Sequence, residues 1–217
     1  MVARLNIDFV SDVSCPWCAI GLASLESALG KLDGEVQADL HFQPFELNPQ
    51  MPPGGQDVTE HLTQKYGSTP EQQLTSREAI RQRGESLGFT FRKEGRGRIY
   101  NTFNAHRLLY WAELQDPARQ YALKKALLKT YFTDGKSPED SQVLLAAVAE
   151  AGLDVDAARA VLDDGSYTAE VRERERFYLD NGIHAVPSVI VNGRHLIQGG
   201  QPAEVFEEAL RRIATQA

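Results

Sequence analysis

The 217-residue sequence predicts an α/β protein whose two ends share one sheet and whose middle is a large all-helical insertion. Three observations carry that prediction. Apolar residues alternate with period two on either side of one helical segment in the first 45 residues. Residues 182–217 return to a β-branched, hairpin-bearing pattern. Between these ends helix start and stop signals recur without a convincing strand.

The first strand is read from Leu5, Ile7 and Phe9 on one face and Arg4, Asn6 and Asp8 on the other. After turn residues Ser11 to Ser14, the segment from Pro16 to Leu29 has helical spacing at Trp17, Ile20, Leu25, Ala28 and Leu29. Pro16 suits the first turn and Gly30 the stop. Val36, Ala38, Leu40 and Phe42 alternate with Gln37, Asp39, His41 and Gln43 in a second strand closed by Pro44. Strand, helix and strand make one βαβ unit with a right-handed crossover. From Gln56 to Asn181 the reading is helical: Thr69-Pro70-Glu71-Gln72 and Ser137-Pro138-Glu139-Asp140 resemble capping boxes, and Gly88 and Gly152 are natural stops. Pro187 to Val191 is the third strand, Asn192-Gly193 a hairpin turn and Arg194 to Gln198 the return. Pro202 opens a last helix with Ala203, Phe206, Ala209, Leu210 and Ile213 on its apolar face. The expected division is a sheet domain of residues 1–55 and 182–217 interrupted by a helical domain of residues 56–181.

An apolar content of 42% suffices for a core without covalent staples. The net charge of −7 disfavours nucleic acid and anionic membranes as partners. The amino terminus has no basic stretch followed by an apolar run, and no apolar segment approaches membrane length, so the expected compartment is the cytoplasm. There a merely structural disulfide would be kept open.

The chain has two cysteines, Cys15 and Cys18, and their spacing matters more than their number. Following a strand and opening a helix, Cys15 falls near the helix amino terminus, where unpaired N–H groups and the helix dipole favour a thiolate. Cys15 is the expected nucleophile, forming a mixed disulfide with substrate; Cys18, one turn on, is the expected resolving thiol. Between them Pro16 stiffens the turn and Trp17 offers an apolar rim to a substrate. Asp12 reads as a turn carboxylate, with repulsion of the Cys15 thiolate or proton transfer from Cys18 as the sharper alternatives. His106 shares a helical face with Phe103 and Tyr110, either as a core histidine or facing a cleft between domains. His184 reads as a loop residue or a neighbour of the site. The run from Arg92 to Arg98 reads as a solvated loop or, at the cleft, as an attractor of carboxylates.

Four segments carry a resemblance to the DsbA-like thioredoxin superfamily, and within it to the FrnE-like branch of thiol-disulfide oxidoreductases. They are Cys15-Pro16-Trp17-Cys18-Ala19-Ile20-Gly21, Phe42-Gln43-Pro44-Phe45-Glu46-Leu47-Asn48-Pro49, Asn104-Ala105-His106 and Gly182-Ile183-His184-Ala185-Val186-Pro187. The resemblance spans nearly the whole chain. It implies a thioredoxin-like fold with a helical insertion, a cis Pro187 packed beside the two sulfurs, a Val186 backbone available to an extended substrate, and His106 near the bound substrate. Relatives often have Gly at the position of Ala185 and a bulkier residue at that of Ser188, which bears on the shape of the groove. The expected partners are protein or low-molecular-weight disulfides and thiols, with no tightly bound cofactor, glutathione as a redox partner and a homodimer left open. Two alternatives stand beside this reading. Kappa-class glutathione transferases and hydroxychromene-carboxylate isomerases look like the same architecture but typically carry Ser where Cys15 stands. A noncatalytic metal- or client-binding module would use the cysteines as ligands or packing groups; a tetrahedral zinc would then need distant histidines such as His106, His184 or His195 to complete its set.

Overall fold

The structure, a computed structural model, describes residues 2–216. Its central sheet has the order β2-β1-β5-β6, built from β1 (Ala3–Ser11), β2 (Val36–Pro44), β5 (Ser188–Val191) and β6 (His195–Gln198). β1 and β2 run parallel, with Leu5 opposite Ala38 and Phe9 opposite Phe42; β5 pairs antiparallel with β1, and β6 with β5. The parallel pair needs a crossover, supplied by α1 (Pro16–Lys31). The β5–β6 turn places both Asn192 (φ 53°) and Gly193 (φ 63°) in the left-handed region, as the hairpin sequence requires. α9 (Ala203–Ala214) packs on α1 and buries Ala203, Phe206, Leu210 and Ile213.

Between β2 and β5 lie β3 (Gln56–Asp57), α2 (Val58–Tyr66), α3 (Pro70–Ser86), β4 (Arg98–Ile99), α4 (Phe103–Gln115), α5 (Pro117–Phe132), α6 (Ser141–Glu150), α7 (Val155–Asp164) and α8 (Thr168–Asp180). β3 and β4 pair antiparallel, correcting the strand-free reading of this region; two residues each are too few to show alternation. The Thr69 capping box forms, with Thr69 Oγ1 accepting from Gln72 N–H and the Gln72 side chain accepting from Thr69 N–H. The second box does not: Asp140 caps α6 by accepting from Gln142 and Val143 N–H, so the helix starts three residues later than Ser137 suggests. Gly30 does not stop α1, which runs on to Lys31.

The buried core crosses the expected domain boundary. Leu128, Tyr131 and Phe132 of α5 share one cluster with Leu5, Ile7 and Phe9 of β1 and with both cysteines. Gln120, one face of α5, fixes this docking: its Oε1 accepts from Phe42 N–H at 2.9 Å and its Nε2 donates to Phe42 C=O at 3.0 Å. A second cluster joins α4, α5, α6 and α7 and receives Val13 from the turn before Cys15. The helices thus anchor directly on the segment that carries the cysteines.

Candidate active site

β1 ends at Ser11, and the chain turns through Asp12 to Ser14 into α1. Asp12 is fully buried and organises this turn, its carboxylate accepting from Ser14 N–H at 3.1 Å and from Leu47 N–H at 2.7 Å. Cys15 is the N-cap of α1 and Pro16 its first residue, where the missing N–H costs no helical bond. One turn on, Cys18 donates its N–H to Cys15 C=O at 3.1 Å. Both cysteines are free thiols; Cys15 is 4% exposed and Cys18 is sealed at 0%.

The loop before β5 closes on the sulfurs. The Val186–Pro187 peptide is cis, and the Cys15 thiol donates to Val186 C=O at 3.7 Å. Pro187 lies against Gly21, where a Cβ would stand 2.9 Å from the proline Cγ; at Gly200 a Cβ would stand 3.0 Å from Trp17 C=O. Two glycines therefore let α1, the proline loop and the segment after β6 meet at backbone distance.

The two sulfurs differ in electrostatic setting. The Cys18 thiol, able to donate a hydrogen bond to Cys15 Sγ when that sulfur ionises, draws the Cys15 pKa below its ordinary value; Arg96 adds to this, against opposition from burial and Asp12. Burial, followed by the neighbouring Cys15 sulfur, pushes Cys18 well up. Burial alone would raise Asp12, but the imidazole of His106 and the N–H groups of Leu47 and Ser14 outweigh it and hold the carboxyl at about 2. His106 Nε2 stands 3.6 Å from Asp12 Oδ1, an ion-pair distance when the imidazole is protonated.

Cys15 opens on a cavity of about 700 Å³ walled by α1, α2, α3 and the segment before β4. Pro16, Trp17 and Val186 line it, and Trp17 is 45% exposed at its rim. Arg92 and Arg96 of the basic run also line it, joined by Arg77 and Arg81 of α3, so the run borders the site instead of lying free in solvent. Arg96 donates to Ser14 C=O at 2.6 Å, directly before Cys15. His106 corrects the expectation of a substrate contact. It is 2% exposed, lies behind Asp12 and does not line the cavity, because its helical face is the buried one of α4. His184 is exposed and also outside the cavity. Among the described residues no three His, Cys, Asp or Glu side chains converge as metal ligands.

Glu46, within the Phe45 to Pro49 segment, is buried and bonded by Arg172 of α8, which also holds Glu175 at 2.8 Å; this ties the exit of β2 to the helices. Two residues at the site escape the sequence reading. Arg96 is one of three arginines in the run from Arg92 to Arg98, with nothing local to single it out. Lys124 lies on the stripe of α5 that carries Gln120 and Leu128, where helical spacing puts a lysine on an apolar face.

Three solved structures share this fold over nearly their full length. A probable DsbA oxidoreductase from Streptomyces coelicolor is 34% identical, with a TM-score of 0.88 over 98% of this chain and 91% of its own. A 2-hydroxychromene-2-carboxylate isomerase is 18% identical, with a TM-score of 0.69 over 97% of each chain. The cytosolic disulfide reductase DsbM from Pseudomonas aeruginosa, solved with GSH, is 18% identical, with a TM-score of 0.64 over 97% of this chain and 99% of its own. The two more distant likenesses speak to fold alone. Residues 6–211 match the DSBA-like thioredoxin domain, and with the Streptomyces relative's identity this establishes that the chain belongs to the DSBA-like thioredoxin family.

Proposed function

We propose that this protein catalyses dithiol-disulfide exchange through Cys15 and Cys18. The observation that supports this best is the asymmetry of the pair: one thiol at a helix amino terminus on a cavity, its pKa lowered, and a second one turn inside, sealed and raised. The Cys15 thiolate attacks a substrate disulfide, forming Cys15–S–S–R and releasing the other half as a thiolate that takes a proton. Cys18 then attacks Cys15 Sγ, closing the internal disulfide and releasing R as a thiol. A stabilised Cys15 thiolate favours the dithiol form, which makes the internal disulfide the more oxidising.

Glutathione, free or as its disulfide, is the proposed low-molecular-weight partner, with protein disulfides as the alternative substrates. The guanidinium groups at the cavity match its carboxylates, and the DsbM likeness is consistent with that use. The cytoplasm is the proposed compartment; among the described residues no helix is long and apolar enough to cross a membrane.

Titration against a glutathione redox buffer, followed by Trp17 fluorescence and thiol trapping, tests the proposal. The expected result is a reversible two-electron transition in the wild type and glutathione captured on Cys15 in Cys18→Ser. A pair that never closes while glutathione binds noncovalently would turn the reading to isomerase or transferase chemistry; no response of either kind would leave a binding module.

A further inference from the structure

The exchange reading leaves one step unprovided for. Cys18 must be a thiolate to attack Cys15, yet it is buried and resists ionisation. Asp12 is a poor acceptor for its proton: Oδ1 and Oδ2 accept from Ser14 and Leu47 N–H, and its carboxyl is held at about 2.

Lys124 supplies what Asp12 does not. It is 0% exposed, and no described residue hydrogen-bonds its Nζ. The amine stands 5.8 Å from the centroid of the Phe42 ring. It follows Gln120 by one turn on the stripe of α5 that docks on β2, and it precedes Leu128, which shares a buried cluster with Phe42, Cys15 and Cys18. An isolated buried ammonium is costly, and natural interiors rarely keep one without a use. The groups that bear on it are Cys18 and Cys15 from α1 and Asp12 from the preceding turn; β2 presents an aromatic ring. Burial pushes the amine below its ordinary value, against the pull of Cys18, Asp12 and Cys15.

We infer that Lys124 is the proton acceptor for Cys18 in the resolving step, an inference that rests on the exchange reading. The Cys18 proton moves to the Lys124 amine, leaving a thiolate beside an ammonium. The thiolate attacks Cys15 Sγ; the Cys15–Cys18 bond forms and the bond from Cys15 to the substrate sulfur breaks, that sulfur leaving with the electron pair. The leaving thiolate takes up one proton and Lys124 gives one back to solvent, so the exchange needs no further oxidant or reductant.

The test uses 5,5′-dithiobis(2-nitrobenzoate), whose coloured thiolate is released once when Cys15 attacks and again when Cys18 resolves. In Lys124→Met the first release is expected to keep its rate within about two-fold, while the second slows about 100-fold near neutral pH. The second release should also stay proportional to hydroxide into the alkaline range, where the wild type levels off once the Lys124 amine is unprotonated. The melting temperature should rise, because an unpaired buried amine has been replaced by an apolar chain of similar length. Lys124→Gln, neutral but polar, should show the same slow second release if the methionine variant misfolds. A second release with wild-type rate and pH profile in a folded variant would overturn the inference alone. Absence of any second release from the wild type, with Cys18→Ser as reference, would overturn the exchange reading and this inference together.

Discussion

The two walls of the site are built to different standards. Behind the sulfurs, α5 buries nine of its sixteen residues and docks on β2 through Gln120. In front, the seventeen residues of α3 bury only Gly84 and the nine of α2 only His61. The rear wall places Gln120 and the buried Lys124 on the side of α5 that docks on β2. The front wall, thinly packed, lines the cavity with Leu62, Leu74 and Ile80 beside Arg77 and Arg81. On the exchange reading, sulfur chemistry and substrate binding would fall to surfaces buried to different degrees, and each should be alterable with limited effect on the other.

Amide hydrogen exchange probes this contrast most directly and should show its largest effect. Amides of α5 are expected to exchange at least about 100-fold more slowly than those of α3, because opening α5 exposes the shared core while opening α3 exposes little apolar surface. Equal protection in the two helices would break the comparison. Addition of glutathione disulfide to Cys18→Ser should sharpen it, raising protection in α3 and leaving α5 unchanged.

Asp12→Asn attacks the rear wall through its charge. The carboxyl sits at about 2 in the folded chain against an ordinary 3.8. A depressed carboxylate contributes stability that is present above the unfolded value and lost as pH falls through the folded one, so the window lies between about pH 4 and pH 2. The displacement corresponds to about 2 kcal/mol. Urea titrations across that window should show the wild type losing this increment on acidification and Asp12→Asn lacking it throughout. Because Asp12 also opposes the Cys15 thiolate, the variant should be alkylated faster at Cys15 while being less stable. A wild type whose stability is flat over the window would remove Asp12 from the account of the rear wall.

The rear wall was also the more legible in sequence. Leu5, Ile7 and Phe9 alternate because one face of β1 is buried, and Val36 to Phe42 show the same period. The cysteine pair and its strand-to-helix setting were readable because each depends on local chain geometry, whereas the cis Pro187 was expected only through the family resemblance. Lys124 and His106 were not placed, since each lies on a helix whose orientation follows from packing across β2 or behind Asp12. Arg96 illustrates the same limit on the front wall. Within Arg92 to Arg98 nothing local separates the residue that reaches Ser14 C=O from those that reach solvent; the pairing of β3 with β4, too short to be read, is what brings the segment to the cavity. The expected division at residues 55 and 181 followed the change of period, while the buried cluster joins α5 to β1 across it.

Arg96→Ala tests how far the front wall acts on the sulfur itself. The Cys18 hydrogen bond is the first influence lowering Cys15, and the Arg96 charge adds to it from the cavity side. Losing a partly exposed guanidinium is worth about 1 kcal/mol or less, so the alkylation profile of Cys15 in a Cys18→Ser background should move to higher pH and the rate at neutral pH fall about 2- to 5-fold. The KM for glutathione disulfide should rise, because a carboxylate partner is lost, while urea stability changes little, since the side chain ties a loop and not the core. A shifted profile with unchanged KM would make Arg96 an electrostatic neighbour of Cys15 only. An unchanged profile with raised KM would make it a substrate contact only, and the front wall would then choose the substrate without touching the chemistry behind it.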